Sequence, residues 1–343
     1  MKKPFLIAEI SANHCQKLLI AKKLIKTAKK MGADAVKIQT YTADSMTLNS
    51  KKKKFIIKSG LWKGFKLWDL YNKACTPMEW HAELFSYAKK IGIVLFSTPF
   101  DEVAVNFLEK LKCPIYKISS FEMMDTNLIK KICKTGKPLI ISTGLATLKE
   151  IEYIYKFAKK NGAKNISLLY CVSNYPSKID DFNMNNIKIL KDKFDCKIGF
   201  SDHSIDNRIS MAAVSAGADL VEKHIALENQ KKGFDIKFSL KGKEIKQFRN
   251  DIDFAYALRS KDFFFRSKKE NTSQKFRRSI FATKDILKGQ KFTNSNIKRV
   301  RPNYGISPIY FNDLINKKSP FNIKKFEPLN VKILKSLKIR NKL

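Results

Sequence analysis

The chain has 343 residues, of which 44% are hydrophobic, and this is enough for one large domain with a substantial core and a second, small one. Its formal net charge is +37, yet only nine of its 68 basic residues are arginine. Arginine supplies the forked contacts that read phosphates and bases, so a surface made almost entirely of lysine does not favour nucleic-acid binding. A basic protein that binds nucleic acid or an anionic surface stays open as an alternative.

Membrane insertion and disulfide bonding have no support in the sequence. The apolar runs stay short of the roughly 18 residues that span a bilayer, and the N-terminus reaches Glu9 before a signal-peptide core could form. Six cysteines are scattered without C-x-x-C spacing, which argues against a zinc ribbon and against a disulfide framework. We therefore expect a cytoplasmic protein with reduced thiols.

Short apolar runs rich in Val, Ile, Leu and Phe recur along the chain, and helix-like segments separate nearly all of them. The runs cover residues 5–10, 35–40, 93–98, 115–120, 138–143, 166–173, 197–202 and 219–224. Helical periodicity is clear at residues 18–31, 77–91, 148–161 and 205–216. Eight such βα units predict a TIM (β/α)8 barrel. A doubly wound open sheet is the alternative, although no G-x-G-x-x-G motif follows the first strand to favour it.

Each predicted strand becomes polar at its carboxyl end. In a barrel all eight of these ends line one mouth, where barrel enzymes place their chemistry. Lys37 and Lys117 lie within the second and fourth strands, where a lysine facing the interior is costly unless it meets an anion. Both could instead extend outward between the helices. The other polar residues at the strand ends include Glu9, Gln39, Thr98, Ser120, Glu122, Ser142, Ser173, Tyr175, Ser201, His203 and His224.

Two of the four histidines end the seventh and eighth predicted strands. His203 lies in GFSDHS and His224 in VEKH, and each has an acidic residue close by in sequence, Asp202 and Glu222 respectively. A βαβ unit brings both strand ends to one rim, and paired imidazoles suit a divalent metal ion. A hydrogen-bonded structural role is the alternative for each histidine.

A long connection follows the second strand and ends in GLWKGFKLWDLYNKACTPMEWH, which holds all three tryptophans of the chain, Trp62, Trp68 and Trp80. Loops of this length are usually functional or disordered. The density of tryptophan favours an ordered cover over the barrel mouth. Simple packing of this loop against the barrel is the alternative.

A second domain is predicted at the C-terminal side. Residues 1–262 form the barrel domain and end with a helix near residues 243–259, residues 263–277 form a linker of mixed charge, and residues 278–343 form a small, mostly-β domain of short strands and turns. A domain of about 60 residues is marginal by itself. We therefore expect it to pack on a barrel.

Nearly the whole chain resembles the sialic acid synthase family. The resemblance rests on the ordered motifs AEISANH, VKIQTY, FSTPF, YKISSFE, ISTGLA, SNYP, GFSDHS and VEKH, with RRSIFA and RPNYGI beyond the linker. It implies a TIM barrel followed by an SAF (antifreeze-like) domain, in a homodimer where each small domain covers the partner's barrel. It also implies a transferase that condenses phosphoenolpyruvate with an open-chain N-acetylated amino sugar. The family uses a divalent metal ion, so we expect Mn²⁺ as the first candidate, with Mg²⁺ and Co²⁺ as the alternatives.

The resemblance further implies roles for single residues. His203 and His224 match the metal ligands, and Arg301 matches an arginine that the partner's small domain offers to the acceptor. Glu9 and Glu122 are our candidates for moving protons, with a supporting role beside a lysine or histidine as the alternative for each. The positions that match phosphoenolpyruvate contacts are Lys37, Thr98, Lys117, Ser120, Ser142, Ser173 and Ser201, and those around the sugar and metal are Gln39, Tyr175 and Asp235.

One departure from the family pattern bears on the acceptor sugar. Ser173 stands where sialic acid synthases place an asparagine before I-Y-P, which argues against N-acetylmannosamine. Within the family, the resemblance then implies an N-acetylated 6-deoxy amino sugar as the acceptor. Legionaminic or N-acetylneuraminic acid synthases, with the same chemistry on another acceptor, are the alternatives within the family.

Overall fold

The structure is a computed structural model that describes residues 3–259 and 264–342. Contacts divide the chain into two compact units, Met1–Ser260 and Lys261–Leu343. The predicted domain boundary between residues 262 and 263 lies outside the described residues.

Eight parallel strands form a closed barrel in the first unit. Strands that follow one another in the chain pair side by side, and the first strand also pairs with the eighth. This closure excludes the open doubly wound sheet and confirms the predicted TIM barrel. The strands are β1 Phe5–Glu9, β2 Ala35–Thr40, β3 Val94–Pro99, β4 Tyr116–Ile118, β5 Leu139–Ser142, β6 Ile166–Cys171, β7 Lys197–Asp202 and β8 Leu220–Ala226, with a short β9 Leu240–Lys241 added beside β8.

Helices connect the strands on the outside of the barrel, and the connection after β2 carries two extra ones. In chain order they are α1 Leu18–Met31, α2 Ala43–Met46, α3 Leu67–Ala74, α4 His81–Ile91, α5 Glu102–Lys110, α6 Thr126–Cys133, α7 Leu148–Lys160, α8 Asn185–Lys193, α9 Asn207–Ala216 and α10 Glu244–Leu258. Within the described residues, no helix is long and apolar enough to cross a membrane.

Local sequence explains where these helices begin and end. The hydroxyl of Thr147 accepts a hydrogen bond from the amide of Glu150, whose carboxylate accepts one from the Thr147 amide, so a capping box opens α7. Gly32 ends α1 in the left-handed region at φ 95°. The helix predicted from residue 205 begins at residue 207, because the Asp206 side chain accepts from the Arg208 amide as an N-cap. The helix predicted from residue 77 begins with a separate 3-10 turn, Met78–Trp80.

The helices bury one apolar face each against the strands. Leu24 of α1, Leu84 of α4 and Phe248 of α10 pack in one cluster with Val36 of β2. Each fully buried side chain of this size contributes about 1.5–3 kcal/mol relative to an exposed one. The packed outer layer fixes the strands and, with them, the positions of the polar strand ends.

The second unit has a small core of its own. Its two-stranded antiparallel sheet pairs Ile280 with Arg299, and further pairings are single bridges such as Ile286 with Ile323. Ile280, Ile286 and Phe292 are buried together. Its elements are α11 Lys268–Thr272, which lies inside the predicted linker, β10 Ser279–Ala282, β11 Ile297–Val300, α12 Phe311–Leu314 and α13 Lys332–Ser336.

Candidate active site

The carboxyl ends of the barrel strands surround a cavity of about 380 Å³, a size that suits a small-molecule site. We call the part built by the strand ends the floor, and the connection of residues 41–77 after β2 the cover. The floor is charged and rich in hydroxyls, whereas the cover contributes mostly apolar side chains. The predicted site residues that line the floor are Lys37, Gln39, Lys117, Ser120, Glu122, Ser142, Ser173, Tyr175, Ser201, His203, His224 and Asp235.

Four charged side chains meet at this floor, and all are buried. The carboxylate oxygen Oε1 of Glu222 lies 3.0 Å from Lys117 Nζ and 3.7 Å from Lys37 Nζ. Lys37 also forms an ion pair with Glu9 on the neighbouring strand. Both lysines therefore face the barrel interior, and the alternative in which they extend outward between the helices is excluded.

Hydroxyl groups surround the two lysines. Lys37 Nζ donates to Thr98 Oγ1 at 3.2 Å, and Ser201 Oγ donates to Glu222 Oε1 at 3.2 Å. Thr98 contacts Lys37 but does not itself line the cavity. Ammonium groups with adjacent hydroxyl donors form the kind of setting that binds phosphate and carboxylate groups.

The loop after β5 brings two serines close together. The amide of Gly144 donates to Ser120 Oγ at 3.1 Å. A Cβ at Gly144 would lie only 2.3 Å from Ser173 Oγ and 2.7 Å from Ser120 Oγ, so any side chain at this position would displace the two serine hydroxyls. The nearby Ser142 Oγ is buried and has no hydrogen-bond partner among the described residues. Several hydroxyls are thus available to a ligand on this side of the floor.

The charges in the network act strongly on one another. Burial by itself raises the pKa of Glu222, but the ammonium groups of Lys117 and Lys37 outweigh it and hold that pKa well below its ordinary value. Burial lowers the pKa of Lys117, and the Glu222 carboxylate opposes this without cancelling it. For Lys37, burial is outweighed by Glu222 and Glu9, and its pKa is raised. The two carboxylates thus favour the charged form of Lys37.

His203, directly after β7, and His224 of β8 both line the cavity, with ring centroids 5.5 Å apart. The residues beside them in sequence point the opposite way, as alternation along a strand requires. Asp202 and Lys223 form a fully buried ion pair of 3.0 Å behind the site. Asp202 therefore supports the strand ends from outside and does not contact the cavity.

The two imidazoles fit a divalent metal ion. His224 Nδ1 is buried without a hydrogen-bond partner among the described residues, and Asp235 Oδ2 lies 3.5 Å from it. His203 Nδ1 lies 2.9 Å from the carbonyl oxygen of Val172, which fixes the ring and leaves the other nitrogen available. No three His, Cys, Asp or Glu side chains in the described ranges could hold a metal by themselves. Water or substrate would have to complete the coordination, as in an open catalytic metal site.

The two candidate glutamates have different surroundings. Glu122 lines the cavity and accepts a hydrogen bond from Ser119, and its burial raises its pKa. A carboxyl group with a raised pKa suits proton transfer near neutral pH. Glu9 lies beneath the floor, pairs with Lys37 and accepts from the Ser11 amide at 2.7 Å. The geometry of Glu9 thus favours the alternative interpretation, a supporting role beside a lysine, over proton transfer.

The cover reaches the floor through an aromatic chain. Trp62 Nε1 donates to the carbonyl oxygen of Phe234 at 3.3 Å. The Trp62 ring lies 5.8 Å from that of Tyr175, which lies 4.4 Å from the imidazole of His203. The cover is therefore ordered, and it closes over the cavity at Trp62.

The other two tryptophans have local packing roles. Trp68 Nε1 donates to Asp44 Oδ1 at 2.7 Å inside the cover itself. Trp80 packs edge-on against His14, with centroids 5.5 Å apart. The tryptophan-rich stretch thus combines both interpretations: Trp62 belongs to an ordered cover over the cavity, whereas Trp68 and Trp80 take part in simple packing.

Asn13 ties the loop after β8 to the barrel. Its Nδ2 donates to the carbonyl oxygen of Ile225 at 2.9 Å, and its Oδ1 accepts from the Asp235 amide at 3.3 Å. A Cβ at Gly233 would lie 2.5 Å from that same oxygen, and Gly233 has φ 156°, so the loop needs glycine here. This anchoring places Asp235 beside His224.

Two residues stand apart from the predictions. Arg301 is exposed and lies in the second unit, so it is not among the residues that the barrel brings together. Glu222 received no role from the sequence, although it joins both lysines. The available signal was its position two residues before His224, which puts both side chains on one face of β8.

A parallel barrel with charged strand ends converging on one cavity defines an enzyme of the (β/α)8 class. The chain belongs to the NeuB family, whose family model matches residues 24–262, and the SAF domain model matches residues 277–330. These matches confirm the predicted family and the predicted SAF domain.

The chain is similar over nearly its full length to two proteins named pseudaminic acid synthase. One, from Campylobacter jejuni, is 44% identical over 323 residues, which is 94% of each chain. The other, from Helicobacter pylori, is 41% identical over 331 residues, covering 96% of this chain and 97% of that one. Among solved structures, the N-acetylneuraminic acid synthetase of Leptospira borgpetersenii, in complex with citrate, aligns with a TM-score of 0.71 at 28% identity, covering 79% of this chain and 90% of that one.

Proposed function

We propose that this chain is a pseudaminic acid synthase, a transferase that condenses phosphoenolpyruvate with 2,4-diacetamido-2,4,6-trideoxy-altropyranose and water to give pseudaminic acid and phosphate. The observation that carries the proposal is the pair of buried lysines, Lys37 and Lys117, on the floor of a cavity that also holds His203 and His224. The two relatives of that name support the choice of acceptor.

Phosphoenolpyruvate suits the floor because its carboxylate and its phosphate, both attached at C2, place several negative charges close together. Lys37 and Lys117 offer ammonium groups, and Ser120, Ser142 and Ser201 offer hydroxyls beside them. Charge-assisted hydrogen bonds of this kind are stronger than neutral ones and hold the ligand in one orientation. Thr98 positions Lys37, and Ser173 adds a further hydroxyl on the same side.

His203 and His224 would hold the divalent metal, with Asp235 beside His224 and Gln39 and Tyr175 on the same walls. When bound, Mn²⁺, Mg²⁺ or Co²⁺ supplies a Lewis acid for the acceptor's carbonyl oxygen. The protein's own part is to orient the two rings, which Val172 does for His203 through its carbonyl oxygen.

The proposed reaction is balanced without a further reactant. A carbon–carbon bond forms between C3 of phosphoenolpyruvate and the aldehyde carbon of the open-chain sugar, and the aldehyde oxygen takes a proton to become a hydroxyl. Water then adds to the cationic C2 and loses a proton. The C2 hydroxyl then gives up its remaining proton as the bond from C2 to the phosphate oxygen breaks, and the electron pair of that bond leaves with the phosphate, so a ketone remains. Of the two protons from water, one balances the proton taken up by the aldehyde oxygen and the other protonates the released inorganic phosphate. Glu122, on the cavity wall, is the residue placed to carry these protons.

We extend the proposal to the assembly and the compartment. The enzyme acts in the cytoplasm as a homodimer in which the SAF domain of one subunit covers the barrel of the other. Arg301 of that domain then approaches the acceptor sugar. The family membership and the match to the SAF domain model support this arrangement.

Phosphate release from phosphoenolpyruvate with Mn²⁺ tests the proposal. The altro sugar, its gluco and manno counterparts and N-acetylmannosamine are offered in parallel, with product masses measured. Turnover with the altro sugar alone is the expected result. Turnover with another acceptor would reassign the enzyme to legionaminic or N-acetylneuraminic acid synthesis. No release with any sugar, together with strongly salt-dependent nucleic-acid binding, would favour the basic binding protein instead.

A further inference from the structure

One face of α3 lines the cavity. Leu67, Leu70, Tyr71 and Ala74 recur at the spacing i, i+3, i+4 and i+7, which places all four on a single side of the helix. Asn72 and Lys73 lie on the other side and are exposed. A stripe of this kind usually packs on a protein core, but here it borders the cavity.

Other parts of the cover extend this surface. We call the six residues Met46, Ile57, Trp62, Leu67, Leu70 and Ala74 the apolar wall. All six line the same cavity as the charged floor. A ligand that fills the cavity must therefore have an anionic or polar part toward the floor and an apolar part toward the cover.

Ring contacts show how the wall is placed relative to the histidines. His203 contacts Tyr175, and Tyr175 contacts Trp62, so the wall begins two rings away from the metal-binding candidates. In the proposed reaction the aldehyde C1 of the open-chain sugar lies at the histidines. The opposite end of that six-carbon chain, C6, then extends toward the cover.

We propose, on the basis of the proposed function, that the apolar wall recognises the methyl group at C6 and thereby selects acceptors that lack a 6-hydroxyl. A methyl group packs against Leu67, Leu70 and Ala74 without leaving a polar group unpaired. A 6-hydroxyl at the same place loses its water and gains no partner from these side chains, which is unfavourable. Apolar pockets discriminate against an added hydroxyl by about 100-fold in kcat/KM.

The hydroxyl of Tyr71 does not remove this selectivity. Tyr71 shares the stripe but carries a hydroxyl, so it is not counted in the apolar wall. Its ring packs edge-on against Tyr41, with centroids 5.9 Å apart. The selectivity therefore rests on the leucines and Ala74, which form the apolar side of the helix.

The test compares two acceptors that differ only at C6: the 2,4-diacetamido-2,4,6-trideoxy sugar and its 6-hydroxy counterpart of the same stereochemistry. The ratio of their kcat/KM values is measured by phosphate release for the wild type and for Leu67→Asn, which keeps the branch at Cγ but replaces the two methyl groups with a smaller, polar amide. We expect a ratio of about 100 in the wild type and a decrease of about tenfold in the variant.

Leu67→Met and Asn72→Ala are the controls, since one keeps the wall apolar and the other changes the exposed side of the same helix. Both should keep the wild-type ratio. Ala74→Ser adds a hydroxyl with little change in volume and should lower the ratio even if Leu67→Asn folds poorly. The ratio is informative even where total activity drops.

Equal kcat/KM values for the two sugars in the wild type would overturn the inference while leaving the proposed function intact. An unchanged ratio in both Leu67→Asn and Ala74→Ser, with thermal stability preserved, would overturn it as well. Absence of turnover with either sugar in the wild type would overturn the proposed function, and the inference would fall with it.

Discussion

The carboxylate of Glu222 on β8 lies 3.0 Å from the ammonium group of Lys117 on β4, and these two strands are on opposite sides of the barrel. The ion pair therefore crosses the interior. The same carboxylate oxygen is 3.7 Å from Lys37, so one acidic group separates two buried positive charges. An anionic ligand that binds here would also compensate the positive charges of the two lysines.

We predict that Glu222→Gln destabilises the protein by about 3 kcal/mol, because removing one member of a buried ion pair leaves the other charges uncompensated. Phosphoenolpyruvate should raise the Tm of this variant more than that of the wild type, since its charge replaces the lost carboxylate. Denaturant titration and thermal shift with added ligand measure both effects. Glu152→Gln, which breaks surface pairs with Lys156 and Lys193, is the control and should change little. Equal ligand-induced shifts in wild type and variant would contradict the prediction.

Glu122→Gln should lower kcat by about 10²- to 10⁴-fold if Glu122 carries protons. Burial raises the pKa of Glu122, so its carboxylate takes up a proton as the pH falls through that raised pKa. A protonated carboxyl cannot act as a base, and the wild-type kcat should therefore decrease on the acidic side. The variant should lack this decrease, and Glu122→Asp should retain part of it. A pH–rate profile that keeps its acidic limb in Glu122→Gln would assign the limb to another group.

Replacing either His203 or His224 with alanine should abolish Mn²⁺ binding and metal-dependent turnover while the fold is retained. Metal binding is measured by the electron paramagnetic resonance signal of free Mn²⁺ during titration, and the fold by circular dichroism. His81→Gln is the matched control, since His81 is bonded to Thr40 away from the cavity. Chelation of the wild type should also stop turnover, and added Mn²⁺ should restore it. Normal metal-dependent activity in both alanine variants would rule out the proposed ligands.

Burial lowers the pKa of His81 below the ordinary value of 6.5 in the folded protein, whereas the unfolded chain keeps that value. Below about pH 6.5 the unfolded state therefore binds more protons than the folded state, and stability is lost as the pH falls. We predict that His81→Gln shows a smaller loss of stability between pH 7 and pH 5 than the wild type. The free energy of unfolding across this range is the measurement. Parallel curves for the two proteins would refute this.

Arg301→Ala should mainly raise KM for the sugar, whereas Lys117→Ala should abolish turnover. If one subunit supplies the barrel and the other the arginine, mixing the two variants and allowing subunits to exchange should restore activity. Random pairing yields at most about a quarter of the wild-type sites. Phosphate release before and after mixing is the readout. Mass measurement verifies that the subunits have exchanged. If phosphate release after exchange stays at the level of the separate variants, the site is not shared between subunits.

The sequence by itself determined the repeating architecture and the location of the site. Apolar runs alternating with 3.6-residue periodicity define βα units, and the carboxyl ends of parallel strands must meet on one side. Polar residues at eight successive strand ends therefore had to share a mouth. Caps such as Thr147 with Glu150 and the terminal Gly32 are local signals, which is why several helix bounds were predictable within a residue or two.

Only the tertiary structure decided what each polar side chain does. Whether Lys117 faces inward depends on Glu222, which is 105 residues away in sequence and across the barrel. The different roles of Glu9 and Glu122, and those of Trp62 and Trp68, depend in the same way on neighbours that come from other strands and from the cover. Such contacts depend on strand register and on the closed barrel, and neither is encoded in the residues next to the side chain in question.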